Sequence, residues 1–305
     1  MARVPLLNGA LVYNDLLIIK PFYMYIENFL STHELKSLIG SVIESYDPAA
    51  LRKSISLKNS DELINKITRF FAEEYGVQVK LWQSFIFLAN ASNMASEATE
   101  PDQGWHTDGS CQIFDGDCYN VWIPIYNDAV STGIEVIPEK GNEELYAKLG
   151  DPTYPVIVYH RGAAPWVFDI LKEQIPPETD MLIVKTYNGA IIPVARYQVN
   201  IVRVENPDPG SMSIFKQWEV HRGFNDNGIR IQLVLKFQDV NAKLNTKPSN
   251  NLYKLFETFT QGKGGFDQYI EFMKMFMPKE PNSEHGILEK DLLMSLLKNS
   301  YKELN

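Results

Sequence analysis

The sequence is poor in the residues that bind metals and cross-link chains. Its 305 residues hold two cysteines, Cys111 and Cys118, and five histidines. Two thiols so close in sequence make no disulfide framework and match no zinc-knuckle spacing, so unpaired thiols in a reducing, cytoplasmic setting are expected. No apolar run approaches the ~20 residues of a membrane span. Near the start, Asn8, Asn14 and Asp15 interrupt what would be the apolar stretch of a secretory signal. Positive charge is also scarce: 29 Lys and Arg against 38 Asp and Glu leave a formal net charge of -9. This balance argues against a duplex nucleic-acid binder, which needs a basic face to displace counterions. The expected partner is a small molecule, with no nucleic acid and no membrane. A small anion in a local basic pocket fits that charge balance.

What is present is an ordinary folding composition, 45% hydrophobic and 22% charged. There is no internal repeat. NFLSTHELKSLIGSVIESY (28 to 46) reads as an amphipathic helix. Ser31 and Glu34 have capping-box spacing, and Leu35, Leu38, Ile39, Val42 and Ile43 follow at helical intervals. A second helix is predicted near 60 to 75. From Gly76 the texture becomes β-branched and aromatic, in short runs at 77–90, 118–126, 133–138, 154–160, 181–187, 197–205, 211–220 and 229–237. Turn residues such as STG and NDNG separate many of them. From about 249 the pattern is helical again, including a Met and Phe stripe at 272–277 that reads as core or a helical lid. The fold expected is mainly β with helical flanks, a sandwich or jelly roll rather than a βαβ fold. One domain covers 1–248, and a helical extension, 249–305, packs on it.

Within this β region, GWHTDGS (104 to 110) sets His106 and Asp108 two apart. Along a strand, such residues face the same side, so an imidazole and a carboxylate can aim at one point. A metal there needs a third ligand. His33 lies in a helix start and His285 in a polar, Pro-flanked linker, leaving His160 and His221. His221 is preferred because HRGFNDNGIRIQLVLKF holds a hairpin signal, Asn227-Gly228. An even-numbered hairpin loop puts His221, Arg230 and Gln232 on one face, and a four-residue loop puts Arg230 diagonal to His221. Two histidines and a carboxylate on one face of an octahedral ion leave three positions open, as in non-haem Fe(II) oxygenases. These positions suit a 2-oxo acid and dioxygen, with the planar fork of Arg230 holding the far carboxylate.

HTD at 106–108, VWIPIYNDAVSTGIEVIPEKGN at 121–142 and GSMSIFKQWEVHRGFNDNGIR at 210–230 together resemble the phytanoyl-CoA dioxygenase-like branch of the Fe(II)/2-oxoglutarate oxygenases. PEKGN stands where that family has P-G-S-H, and the His-to-Arg interval is a little short. The resemblance implies a double-stranded β-helix (jelly roll, cupin-like) with Fe(II), 2-oxoglutarate and O2. It implies His106, Asp108 and His221 as iron ligands, Arg230 as the distal-carboxylate clamp and Trp122 in the co-substrate pocket beside Gln232. The implied reaction is oxidation of an unactivated C–H bond as 2-oxoglutarate becomes succinate and CO2. Asp108 argues against halogenation, because related halogenating enzymes lack this carboxylate. Hydroxylation, desaturation and oxidative cyclisation in specialised, for example kainoid-type, metabolism all fit. His160, Arg161, Arg196, Tyr197 and Arg203 are candidate substrate contacts, suited to a carboxylated, amino-acid-derived metabolite. From other classes, a zinc hydrolase with the same ligands and a non-catalytic jelly-roll binding protein compete with this reading.

Overall fold

The first helix begins where its capping box says it should. The backbone N–H of Ser31 donates to Glu34 Oε2 (2.8 Å), and that of Glu34 donates to Ser31 Oγ (3.3 Å). Two otherwise unmatched N–H groups are satisfied. Lys66 Nζ, from the second helix, donates to both oxygens of Glu34 and to the Phe29 carbonyl, tying the two helix starts together. The computed structural model describes residues 24–45, 61–90, 105–108, 114–128, 131–150, 156–161, 168–169, 172–173, 175, 177–178, 181–185, 191–194, 198–244, 261 and 284–304. Side chains at 87–90, 157–160, 191–194, 225–227 and 284–293 are among those outside the description.

Within that range the elements are β1 (Met24–Ile26), α1 (Thr32–Ser45), α2 (Asp61–Tyr75), β2 (Val79–Asn90), β3 (Phe114–Asp115), β4 (Cys118–Asn127), β5 (Ser131–Ile137) and α3 (Glu143–Leu149). They continue with β6 (Val156–His160), β7 (Met181–Lys185), β8 (Ile191–Val194), β9 (Val202–Glu205), β10 (Met212–Lys216), β11 (Val220–Asn227), β12 (Ile229–Asp239), β13 (Lys243–Leu244) and α4 (Glu284–Glu303). Every strand pairing is antiparallel. The β-rich core with helical flanks is therefore observed. The Met and Phe stripe at 272–277 lies outside the described residues.

Five strands form one sheet in the order β1-β10-β4-β12-β2, and β11-β5-β9 form a second. On the large sheet, odd positions of β4 and β12 (Val121, Ile123, Ile125, Ile231, Leu233, Leu235, Phe237) pack against Leu38, Ile39 and Val42 of α1 and Ile67 and Phe71 of α2. Leu297 of α4 is fully buried in the same cluster, and Lys36 of α1 lies 5.0 Å from the Tyr301 ring centroid. Trp122 of β4 and Arg230 of β12 face the second sheet instead. There Trp122 and Phe215 meet Ile134, Val136 and Val204.

Two expectations fail, both where the chain changes sheets. The run 211–220 is two strands, not one: β10 stays in the large sheet and β11 enters the small one. Lys216 and Glu219 close the turn between them, with Glu219 N–H bonded to the Lys216 carbonyl (3.0 Å). Nor do β11 and β12 form a hairpin. β11 pairs with β5, placing His221 opposite Val136, while β12 lies between β4 and β2. A strand has only two hydrogen-bonding edges, and both edges of β12 are occupied. Gly228, at φ 78°, supplies the backbone conformation for the crossing. The run 197–205 shortens to β9, and β1, β3, β8 and β13 escaped the sequence pattern.

The outer face of the small sheet is held by charge. Glu135 receives Arg203 Nη1 at 3.0 Å and Arg222 Nε and Nη2 at 2.6 Å each. Arg222, Glu135 and Arg203 are direct cross-strand neighbours on β11, β5 and β9, so one carboxylate ties three strands. Arg222 also lies 4.8 Å from the centroid of the fully buried Trp105 ring.

Candidate metal centre

Residues 105–108 form a short extended segment laid against β11. His106 and His221 exchange both backbone hydrogen bonds at 2.9 Å, and Asp108 N–H donates to the Gln217 carbonyl at 2.8 Å. On the other side, Thr107 N–H donates to the Val156 carbonyl of β6, and Val156 N–H donates to Thr107 Oγ1. Thr107 thus anchors the segment, while its two neighbours turn the other way, as the two-residue period demands.

The result is a convergence of ligands. One ligand atom each from His106, Asp108 and His221 lies within 4.8 Å of the others. The two imidazole centroids are 4.6 Å apart, and Asp108 Oδ2 is 3.9 Å from His221 Nε2. His221 is buried among Phe215 (4.6 Å between ring centroids) and Trp122 (6.2 Å). Its Nδ1 lies 2.7 Å from the Glu219 carbonyl oxygen, which fixes Nδ1 as the donor. Nε2 is then the bare, lone-pair-bearing nitrogen, and it has no hydrogen-bond partner among the described residues. Asp108 is held from two sides. Asn120 Nδ2 donates to Oδ2 at 2.6 Å, and Lys236 Nζ lies 3.0 Å from Oδ1.

Arg230 opens the inner face of β12 and crosses to the other sheet, where Nη1 donates to the Gly133 carbonyl at 2.6 Å. The residue is 1% exposed, and its Nε and Nη2 have no partner among the described residues. Burial lowers its pKa to about 10, which leaves it charged at neutral pH. Gln232, two residues on and also buried, has an unpartnered Nε2, and Trp122 an unpartnered Nε1. Buried donors without acceptors are uncommon, and three side chains presenting them toward the interior that holds the His221 lone pair describe a site shaped for a polar guest.

The predicted residues therefore divide. His106, Asp108, His221, Arg230, Trp122 and Gln232 all line the space between the sheets, though His221 and Arg230 share it from opposite sheets and not from one hairpin. Arg203 leaves the list, since it sits on the outer face with Glu135 and Glu205. Arg161 stacks 4.4 Å above the Phe168 ring. His160 belongs to β6, opposite Met181, but its side chain lies outside the described residues, as do Arg196 and Tyr197. The PEKGN departure has its own anchoring. Asn142 Nδ2 donates to the Pro138 and Asn200 carbonyls, and Glu139 N–H donates to Glu219 Oε1. Sequence reasoning missed Asn120, Lys236 and Glu219. A signal existed for Lys236, because it follows Arg230 and Gln232 at even spacing along β12.

No protein-family model matches the chain, and no curated protein does. Solved structures similar to it include the non-heme alpha-ketoglutarate-dependent carbocyclase SnoK from nogalamycin biosynthesis, at 12% identity, 77% of this chain, 87% of that one and TM-score 0.44. Others are apo ThoJ, a non-heme monooxygenase (11%, 93% and 95%, 0.42), and the iron and alpha-ketoglutarate-dependent endoperoxidase NvfI (11%, 74% and 79%, 0.40). Likeness at this level assigns no activity to this chain. Among the described residues, no helix is long and apolar enough to cross a membrane.

The site's charges set how the metal-free protein responds to acid. Burial, helped by His106, lowers the His221 pKa from 6.5 to about 3. Burial raises that of Glu219 from 4.5 to about 7. For Asp108, burial works upward but is outweighed by Lys236, His221, His106 and Asn120, which hold the carboxyl well below its usual range. Burial also works upward at Glu34, where Lys66 and Ser31 outweigh it and bring the pKa to about 2. His221, with its folded pKa lowered, loses its contribution as pH falls from 6.5 towards 3. Glu219, with its folded pKa raised, contributes fully below 4.5 and loses that contribution as pH rises towards 7. Between 4.5 and 6.5 these two oppose each other. Below 4.5 Glu219 adds nothing further, while His221, Glu34 and Asp108 all lose. The Tm of metal-free protein is therefore expected to change little between pH 6.5 and 4.5 and to drop steeply below it. A Tm constant down to pH 3 contradicts this account.

Proposed function

We propose that this protein is an Fe(II)- and 2-oxoglutarate-dependent oxygenase acting on a small molecule, with the two sheets forming a double-stranded β-helix. One observation carries the reading. Two imidazoles and a carboxylate converge in the same interior that holds a buried guanidinium, two of whose nitrogens have no partner among the described residues. The donor set fits the ion: His221 presents an unprotonated Nε2, and Asp108 is ionised. His106, Asp108 and His221 would hold Fe(II). Arg230, with Gln232 and Trp122 beside it, would take the distal carboxylate of 2-oxoglutarate. A zinc hydrolase gives no reason for a charged arginine left half-satisfied in the interior, a costly arrangement unless a carboxylate completes it.

Bound iron, with 2-oxoglutarate and dioxygen, supplies oxidative decarboxylation of the 2-oxo acid and the power to oxidise a C–H bond. The chain's part is to orient and to exclude water. The Glu219 carbonyl sets the His221 tautomer. Thr107 holds the backbone between the other two ligands. Phe215 and Trp122 wall His221 with apolar surface. The helical extension, 249–305, is read as part of the same unit as 1–248, supported by Leu297 in the shared core. A cytoplasmic setting fits the two cysteines, of which Cys118 is buried and forms no disulfide among the described residues.

The test is succinate formation from 2-oxoglutarate by protein supplied with Fe(II) and ascorbate, with His106→Ala as control. Anaerobic Fe(II) plus 2-oxoglutarate is also expected to give a weak visible charge-transfer band. Well-folded protein that forms neither succinate nor the band refutes the assignment.

A further inference from the structure

We propose that Lys236 is a positioning residue that confines Asp108 to metal coordination through one oxygen and, in doing so, weakens the site's hold on its cation. The proposal rests on the metal-centre reading above and adds to it a residue outside the ligand set.

The two oxygens of Asp108 are engaged differently. Oδ2 is the oxygen 3.9 Å from His221 Nε2 and accepts from Asn120 Nδ2 at 2.6 Å. Oδ1 faces the Lys236 ammonium at 3.0 Å. An ionised carboxylate oxygen has roughly two lone-pair directions, so Oδ2 can serve both the amide and a metal. Oδ1 is different: a cation approaching it meets another cation. Lys236 and Asn120 are cross-strand partners on β12 and β4, so both side chains rise from one face, side by side. Asp108 comes onto this pair from the segment laid against β11. The Lys236 side chain is 13% exposed, so water screens its charge only weakly.

Two consequences follow. If Asp108 chelated through both oxygens, one of the three open positions of a six-coordinate ion would close. Pinning Oδ1 keeps that position available for the co-substrate or dioxygen. The ammonium also repels any divalent ion seated on Oδ2, since like charges a few ångströms apart in a weakly screened interior interact strongly. Lys236 therefore preserves open coordination at the expense of affinity. A lysine that merely neutralised a buried carboxylate would act in the opposite sense, because its loss would disorder Asp108 and weaken the metal.

The test is Co(II) titration by calorimetry at pH 7 on wild type, Lys236→Met, Lys236→Gln and Lys236→Arg, each checked for folding by circular dichroism and melting. The two neutral variants are expected to bind Co(II) at least about tenfold more tightly than wild type. The arginine variant, which keeps the charge, should stay within about threefold. Affinity that is unchanged or lower in both neutral variants overturns the proposal. A His106→Ala control separates it from the underlying reading. Wild type that binds Co(II) no better than this control removes the metal centre and, with it, the proposal. Wild type that binds without tightening in the neutral variants removes the Lys236 role alone. Should the neutral variants fail to fold, Zn(II)-loaded wild type is compared with Asp108→Ala by difference infrared spectroscopy. A wide separation of the Asp108 carboxylate stretches, the mark of one-oxygen binding, supports the proposal, and a narrow one overturns it.

Discussion

Replacing His221 by alanine is expected to cut metal affinity by more than about a hundredfold and to abolish succinate formation. Even residues that only orient a ligand typically cost ten- to a hundredfold when removed, and His221 is itself a candidate ligand. The effect should be large because, among the described residues, no fourth ligand joins the group. The ring is buried, its Nδ1 is committed to the Glu219 carbonyl, and only Nε2 points at the other two ligands. Co(II) calorimetry on wild type and variant, with thermal melts to show that the fold persists, checks this. A variant that binds cobalt as wild type does removes His221 from the centre.

Arg230→Met is expected to produce two effects of opposite sign. The KM for 2-oxoglutarate should rise by about two to three orders of magnitude, the cost of losing two charge-assisted hydrogen bonds to a carboxylate. The empty protein should become more stable, by about 1–4 kcal/mol, because a desolvated cation with one hydrogen-bonded nitrogen gives way to an apolar side chain of similar reach. Arg230→Lys keeps the charge but not the fork, and should recover only part of the KM. Urea unfolding together with 2-oxoglutarate saturation curves checks both effects. A less stable methionine variant with an unchanged KM would show instead that Arg230 serves only to brace the Gly133 carbonyl.

Much of this site was legible in the sequence because strands report their facing directly. His106 and Asp108 needed only the two-residue period, and the Ser31–Glu34 cap needed only its spacing. Arg230 reached the right interior by the wrong route. The Asn227-Gly228 signal describes local backbone preference, and that preference suits a crossing between sheets as well as a hairpin. Which of them forms depends on whether an edge of β12 is vacant, and β2 and β4, more than a hundred positions away in chain order, decide that. Glu219 was hidden for a related reason. Its role comes from a backbone carbonyl at a turn that the sequence read as continuous strand. The fold class could be read because turn residues punctuate the runs, whereas the two-residue strands β3 and β13 are too short for any periodicity to show.

The alternation along β12 bears on how such a protein can change. Its odd residues meet the helices and hold the fold, while its even residues, Arg230, Gln232, Lys236 and Gln238, face the interior. Substitutions on the two faces touch different neighbours, so their costs should combine nearly independently. A lineage could remodel what the chamber accepts through every second position of this one strand and leave the packing that sustains the chain almost untouched.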